Sequence, residues 1–172
     1  ARDHFGLKPL YYFNSADTMI VNTNLRDIIE DDRYNKELDI VVLQHYLSYT
    51  YVVGRNTLFR GVKKLLPGEW LLWDGKECCI TKYWYPIFEV DESKTLVEWS
   101  MLIHETMQEI VEELIEPEEM DYTSVLLSAG VDSSYILALS KLKKTYTVGF
   151  FEEKYDESAY ASSFANLLNR DN

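Results

Sequence analysis

The spacing of apolar and polar positions changes character once along this chain, near residue 90. Before that point, short apolar runs alternate with turn residues. A strand entered after Pro9 and ending around Tyr12, and a second at Met19–Val21 beyond Asp17, predict an antiparallel pair. Leu25 to Ile29 opens a short helix. Leu38 to Tyr51 places Val42, Leu43, Tyr46 and Leu47 near helical spacing behind Asp39 as a cap. Pro67-Gly68 predicts a type II turn. Glu69–Trp73 and Cys78–Trp84 then predict a hairpin turning through Asp74-Gly75.

Beyond Pro86–Glu92 the period becomes helical. Thr95 and Glu98 have capping-box spacing, and Leu96, Trp99, Ile103, Met107, Ile110 and Leu114 fall on one face of a helix that Pro117 ends. From Thr123 the order is strand, helix, strand (Thr145–Phe150) and helix (Glu157–Leu168), which implies a parallel sheet. The expected class is therefore α+β followed by α/β, with domains at residues 1–88 and 89–172.

One stretch concentrates the chemistry. Val125, Leu126 and Leu127 make a buried strand; Ser128-Ala129-Gly130 is a small polar turn; Asp132 or Ser133 then caps a helix carrying Ile136, Leu137 and Leu139. Strand, tight turn and helix N-terminus aim backbone N–H groups and a positive dipole end at one point, which suits phosphate. The hydroxyls of Ser128, Ser133 and Ser134 add donors. No lysine follows Gly130 before Lys141, so this is not a Walker loop, and a single glycine is too few for a dinucleotide fingerprint.

Composition narrows the classes. Hydrophobic residues make up 47% of the 172 and aromatics 14%, enough for packed cores. A formal charge of −12 disfavours nucleic acid and anionic membranes as partners. No apolar run reaches membrane-span length, so a cytoplasmic protein is expected. Cys78 and Cys79 are adjacent and point to opposite strand faces, which fits free thiols rather than a bridge or a metal pair. His4, His45 and His104 are too dispersed for a metal cluster.

Ser128-Ala-Gly-Val-Asp-Ser133 resembles the Ser-Gly-Gly-x-Asp-Ser pyrophosphate loop (PP-loop) of the N-type ATP pyrophosphatases. The first half of the chain selects among them. Arg2-Asp-His-Phe-Gly-Leu-Lys-Pro-Leu-Tyr-Tyr12, Phe59-Arg-Gly-Val-Lys-Lys-Leu-Leu-Pro-Gly-Glu69 and Tyr83-Trp84 resemble segments late in the glutaminase domain of class B, glutamine-hydrolysing asparagine synthetases. That resemblance implies the C-terminal part of an N-terminal-nucleophile-hydrolase-like (αββα) glutaminase domain. It is followed by the first βαβ unit of an adenine nucleotide alpha hydrolase-like synthetase domain.

The implied activity is a carbon–nitrogen ligase of asparagine biosynthesis. Aspartate is activated by ATP with Mg2+ as β-aspartyl-AMP, and ammonia from glutamine displaces AMP. The implied nucleotide contacts are Leu127 and Val148; Ser128, Gly130, Asp132 and Ser133 take the pyrophosphate, with Mg2+ near Asp132. The resemblance puts no protein cluster around a metal and no glutaminase nucleophile in this chain, since the family's N-terminal cysteine has no counterpart at Ala1. The chain reads as an internal fragment, inactive by itself towards glutamine and aspartate, whose apolar faces allow a homodimer. Ala129 stands where the family has glycine, and its methyl crowds an approaching phosphate. Two other readings are a β-lactam synthetase-like or other amide-forming enzyme, and a non-catalytic assembly protein on the same scaffold. Asp156-Glu157 matches an acidic pair that opens the family's next helix, where capping accounts for it.

Overall fold

The computed structural model describes all 172 residues, which separate into two units, Ala1–Glu89 and Val90–Asn172. Each mixes helix and strand.

In the first unit β1 (Tyr11–Asn14) and β2 (Met19–Asn22) form the expected antiparallel pair, followed by α1 (Leu25–Glu30) and α2 (Ile40–Tyr49). Asp39 caps α2 as expected, accepting from the amides of Val41 and Val42. Only Val42 of the α2 apolar set is buried, and Leu47 is exposed. β3 (Val62–Lys64) completes a three-stranded sheet in the order β2-β1-β3. Its core is Ile20, Ile28, Tyr34 and Val62.

β4 (Glu69–Trp73) and β5 (Cys78–Lys82) form the hairpin. Its register pairs Trp73 with Cys78, so the chain turns at Gly75-Lys76 rather than at Asp74-Gly75. The reason is the Asp74 side chain, which accepts the amides of both Lys76 and Glu77 and thereby belongs to the turn's entry.

The three motifs of the first half meet in space. The Arg2 guanidinium donates to the carbonyls of Lys8, Leu65 and Gly6, while the Asp3 carboxylate accepts from the amides of Phe5, Leu7 and Lys8. Leu66 and Glu69 close a turn over Pro67 and Gly68, and the Gly68 amide donates to the Asp3 carbonyl. Gly68 sits at φ +69°, and a Cβ there would lie 2.2 Å from the Trp84 carbonyl oxygen. Glycine is the residue that both the type II turn and this contact require.

The second unit begins with α3 (Leu96–Leu114), whose capping box forms as the spacing predicts. Its covered side overlaps the expected stripe only in part: Trp99 and Met107 are half-buried, and Val111 lies one turn beyond Met107 on that side. Val111 is the buried residue, while Leu96, Ile103, Ile110 and Leu114 are exposed. The helix packs on its C-terminal half against its neighbour, and no element of this unit covers the longer stripe. β6 (Val125–Leu126), α4 (Val131–Leu139) and β7 (Thr145–Tyr146) form a parallel β-α-β unit, and α5 (Ser158–Leu167) follows. After α5 the chain returns parallel to β7 at the Lys144–Asp171 bridge. Leu127, Leu137, Leu142, Ala161 and Ala165 form the core; the two alanines, one helical turn apart, let α5 lie close to the sheet. β7 ends at Tyr146, four residues short of the expected Phe150, and beyond it Thr147, Val148 and Phe150 line a cavity.

No helix is long and apolar enough to cross a membrane.

Candidate phosphate-binding site

Leu127 directly follows β6, and its amide donates to the Tyr146 carbonyl at 2.8 Å. Its side chain is buried beneath the turn. Val148 lies two residues past β7 with an exposed side chain. Both therefore stand at the C-terminal ends of adjacent parallel strands, where open α/β sheets bind ligands. A cavity of about 350 Å³ joins them, lined also by Ser128, Thr147, Phe150, Tyr155 and Glu157. Leu127, Ser128 and Val148 of the expected site are thus brought together. Gly130, Asp132 and Ser133 lie on the turn above, outside the cavity wall.

The turn is built from its serines. The Ser128 amide donates to Ser133 Oγ at 3.1 Å, the two hydroxyls are 3.0 Å apart, and the Gly130 amide donates to Ser128 Oγ at 3.1 Å. A Cβ on Gly130 would lie 3.1 Å from that same Oγ, so glycine leaves room for the hydroxyl to reach its amide.

One expectation is corrected here. The N-cap of α4 is Gly130, not Asp132 or Ser133, and no side chain caps the helix. Ser133 turns back to Ser128 and to the Gly130 carbonyl instead, while Asp132 is exposed in the first turn. Ser134 contributes no side-chain bond to the turn. Ala129 is absent from the residues with positive φ, so the turn takes this shape without a glycine at that position.

The acidic pair divides in an unexpected way. Glu157 is the N-cap of α5 by position, yet its side chain makes no cap bond. Asp156 secures the helix start: Oδ1 accepts from the Ser158 amide at 3.1 Å and from the Phe150 amide at 3.4 Å, and Oδ2 accepts from the Ser158 hydroxyl at 2.8 Å. The Ser158 hydroxyl, then its amide, hold the Asp156 carboxyl below its ordinary range. Glu157 instead accepts from the Ala129 amide at 3.1 Å, across 28 positions of sequence. Local capping statistics carry no signal of a contact between an acid and a turn so far apart.

Comparison with known proteins agrees with the motifs. Residues 1–84 match the family model described as glutamine amidotransferase domain, and residues 118–172 match that of asparagine synthase. The two matches follow one another along the chain, an amidotransferase-like segment and then a synthase-like segment, and that order is the arrangement against which its relatives are compared.

The chain is similar along its whole length to glutamine-hydrolysing asparagine synthetase 1 of Bacillus subtilis, at 28% identity over 100% of this chain and 27% of that protein. A Mycobacterium bovis protein provisionally named glutamine-hydrolysing asparagine synthetase is 30% identical over 98% of this chain and 27% of its own length. For a Methanocaldococcus jannaschii protein, provisionally named glutamine-hydrolysing asparagine synthetase 2, the figures are 28%, 93% and 32%. The resemblance to the glutamine-hydrolysing asparagine synthetases is borne out on both halves. The chain spans about 27% of the length of the first two relatives.

Proposed function

We propose that this chain serves glutamine-dependent asparagine synthesis in the cytoplasm, as a segment carrying part of the nucleotide site. In the proposed reaction ATP, aspartate, glutamine and water give asparagine, AMP, pyrophosphate and glutamate through β-aspartyl-AMP. Residues 1–88 correspond to part of an N-terminal-nucleophile-hydrolase-like glutaminase domain, and residues 89–172 to part of an adenine nucleotide alpha hydrolase-like synthetase domain.

The observation that carries this reading is the cavity joining Leu127, Ser128 and Val148 at the ends of two parallel strands. Leu127 and Val148 would flank the nucleotide. Ser128, Gly130 and Ser133 would meet the pyrophosphate with hydroxyls and amides, since the first-turn N–H groups of α4 have no acceptors inside the helix. Fixed donors of this kind stabilise the charge that builds on a departing pyrophosphate. Mg2+ bound with ATP neutralises phosphate charge, and the exposed Asp132 carboxylate on the same turn is the group of this loop suited to hold it.

The test is titration of MgATP into 15N-labelled protein. Amide shifts are expected to concentrate at residues 127–133 and around Val148. The reading is overturned if these amides stay still at millimolar MgATP. Ser133→Ala is expected to weaken binding about tenfold, since one hydroxyl serves both the turn and the anion.

A further inference from the structure

We propose that Glu157 holds the phosphate turn closed and must be displaced when a pyrophosphate-bearing ligand enters. This inference rests on the phosphate reading above and names a control on the same site.

Three amides of the turn, those of Ser128, Ala129 and Gly130, face acceptors. Two of these acceptors are neighbouring hydroxyls, Ser133 Oγ and Ser128 Oγ, whose protons can be redirected to an incoming anion while the oxygens keep accepting. The third is a carboxylate, Glu157 Oε2, which can only accept. Ala129 has no acceptor of its own within the turn, so Glu157 supplies an anionic oxygen at the amide that a phosphate oxygen would otherwise take. Two anionic oxygens do not share one N–H, and the ligand's charge repels the carboxylate.

The neighbouring residues keep Glu157 available for this. Asp156 secures the start of α5 through Ser158 and Phe150, so α5 needs nothing from the Glu157 side chain. Glu157 also lines the cavity beside Ser128 and Val148, so it leaves the amide without disturbing the core. A neutral side chain at position 157 is therefore expected to open the turn to anions.

The experiment compares inorganic pyrophosphate binding by calorimetry for the wild-type chain, Glu157→Ala, Glu157→Gln and the control Glu152→Ala. Glu157→Ala is expected to tighten binding about tenfold, the scale of one hydrogen bond to a charged group. Glu157→Gln should gain less, because its amide oxygen still accepts from Ala129. Glu152→Ala removes a charge from the same segment and leaves the contact in place, so a gain below about twofold is expected. In the free protein the Ala129 amide proton is expected to move upfield in Glu157→Ala and to return downfield as pyrophosphate is added. Equal constants for wild type and both Glu157 variants, or an equal gain from Glu152→Ala, overturn the displacement role while the phosphate reading stands. No binding by any of the four proteins overturns the phosphate reading, and this inference with it.

Discussion

Individual residues in the first unit show why its motifs have the composition they do. Glu69 is 6% exposed, and its carboxylate meets Arg55 through two bonds of 2.7 and 2.8 Å while accepting the Leu66 amide at 2.9 Å. Burial pushes the Glu69 carboxyl up, but Arg55 and the Leu66 amide together outweigh it and leave the pKa below its ordinary value. The folded carboxyl thus has the lower pKa of the two states. Its stabilisation is complete above the unfolded value near 4.5 and is lost as pH falls through the folded one. Urea unfolding of Glu69→Gln at neutral pH is expected to show a loss of about 2–3 kcal/mol, because Arg55 loses its charged partner. The same variant should flatten the acid limb of the wild-type stability curve. A Glu69→Gln protein as stable as wild type would sink this account. Gly68→Ala should cost at least about 2 kcal/mol, since the new methyl meets the Trp84 carbonyl and the left-handed conformation is strained.

Among the elements, α3 separates local pattern from packing most clearly. Its start is a local matter, as the Thr95 hydroxyl and Glu98 carboxylate answer each other's backbone amides. Thr95→Ala is expected to cost about 1 kcal/mol and to lower helicity measured by circular dichroism. Which side of the helix is buried depends on its neighbours. Val111→Ala should destabilise the second unit by about 1–2 kcal/mol, whereas Ile103→Lys or Leu114→Lys should change its stability by no more than about 0.5 kcal/mol. The reverse ranking in thermal unfolding would show that the stripe predicted by periodicity is the packed one. The turn before α4 behaves similarly. Strand and helix are legible from Val125–Leu127 and the apolar residues after Asp132, but the cap at Gly130 follows from Ser133 turning back to Ser128.

For the whole chain, charge dominates behaviour in solution. With a formal charge of −12 and an isoelectric point near 4.6, mutual repulsion at neutral pH opposes association and binding of polyanions. Solubility should be lowest near pH 4.6, where turbidity at fixed protein concentration is expected to peak. The Glu69–Arg55 contribution is still present at that pH and is lost only on further acidification, as pH falls through the depressed Glu69 value. A flat turbidity profile between pH 4 and 6 would contradict the solubility minimum.

The sequence alone determined the order of helices and strands apart from β3 (Val62–Lys64), which it did not mark, together with the change of character near residue 90, the Pro67-Gly68 turn and the strand–turn–helix around Ser128. These depend on interactions within a few residues: a proline's fixed φ, a glycine's freedom, a hydroxyl within reach of its own turn. The shared identity of the motifs at Arg2–Tyr12 and Phe59–Glu69 was also legible. Their meeting was not, because Arg2 reaches the Leu65 carbonyl across 63 positions. Tertiary structure decided which face of α3 is covered, where β7 leaves its sheet, and that Glu157 reaches the Ala129 amide while Asp156 holds the helix. The physical reason is common to all of them. Burial and long-range hydrogen bonds depend on which surfaces folding brings opposite each other, and residue spacing along the chain carries no record of that.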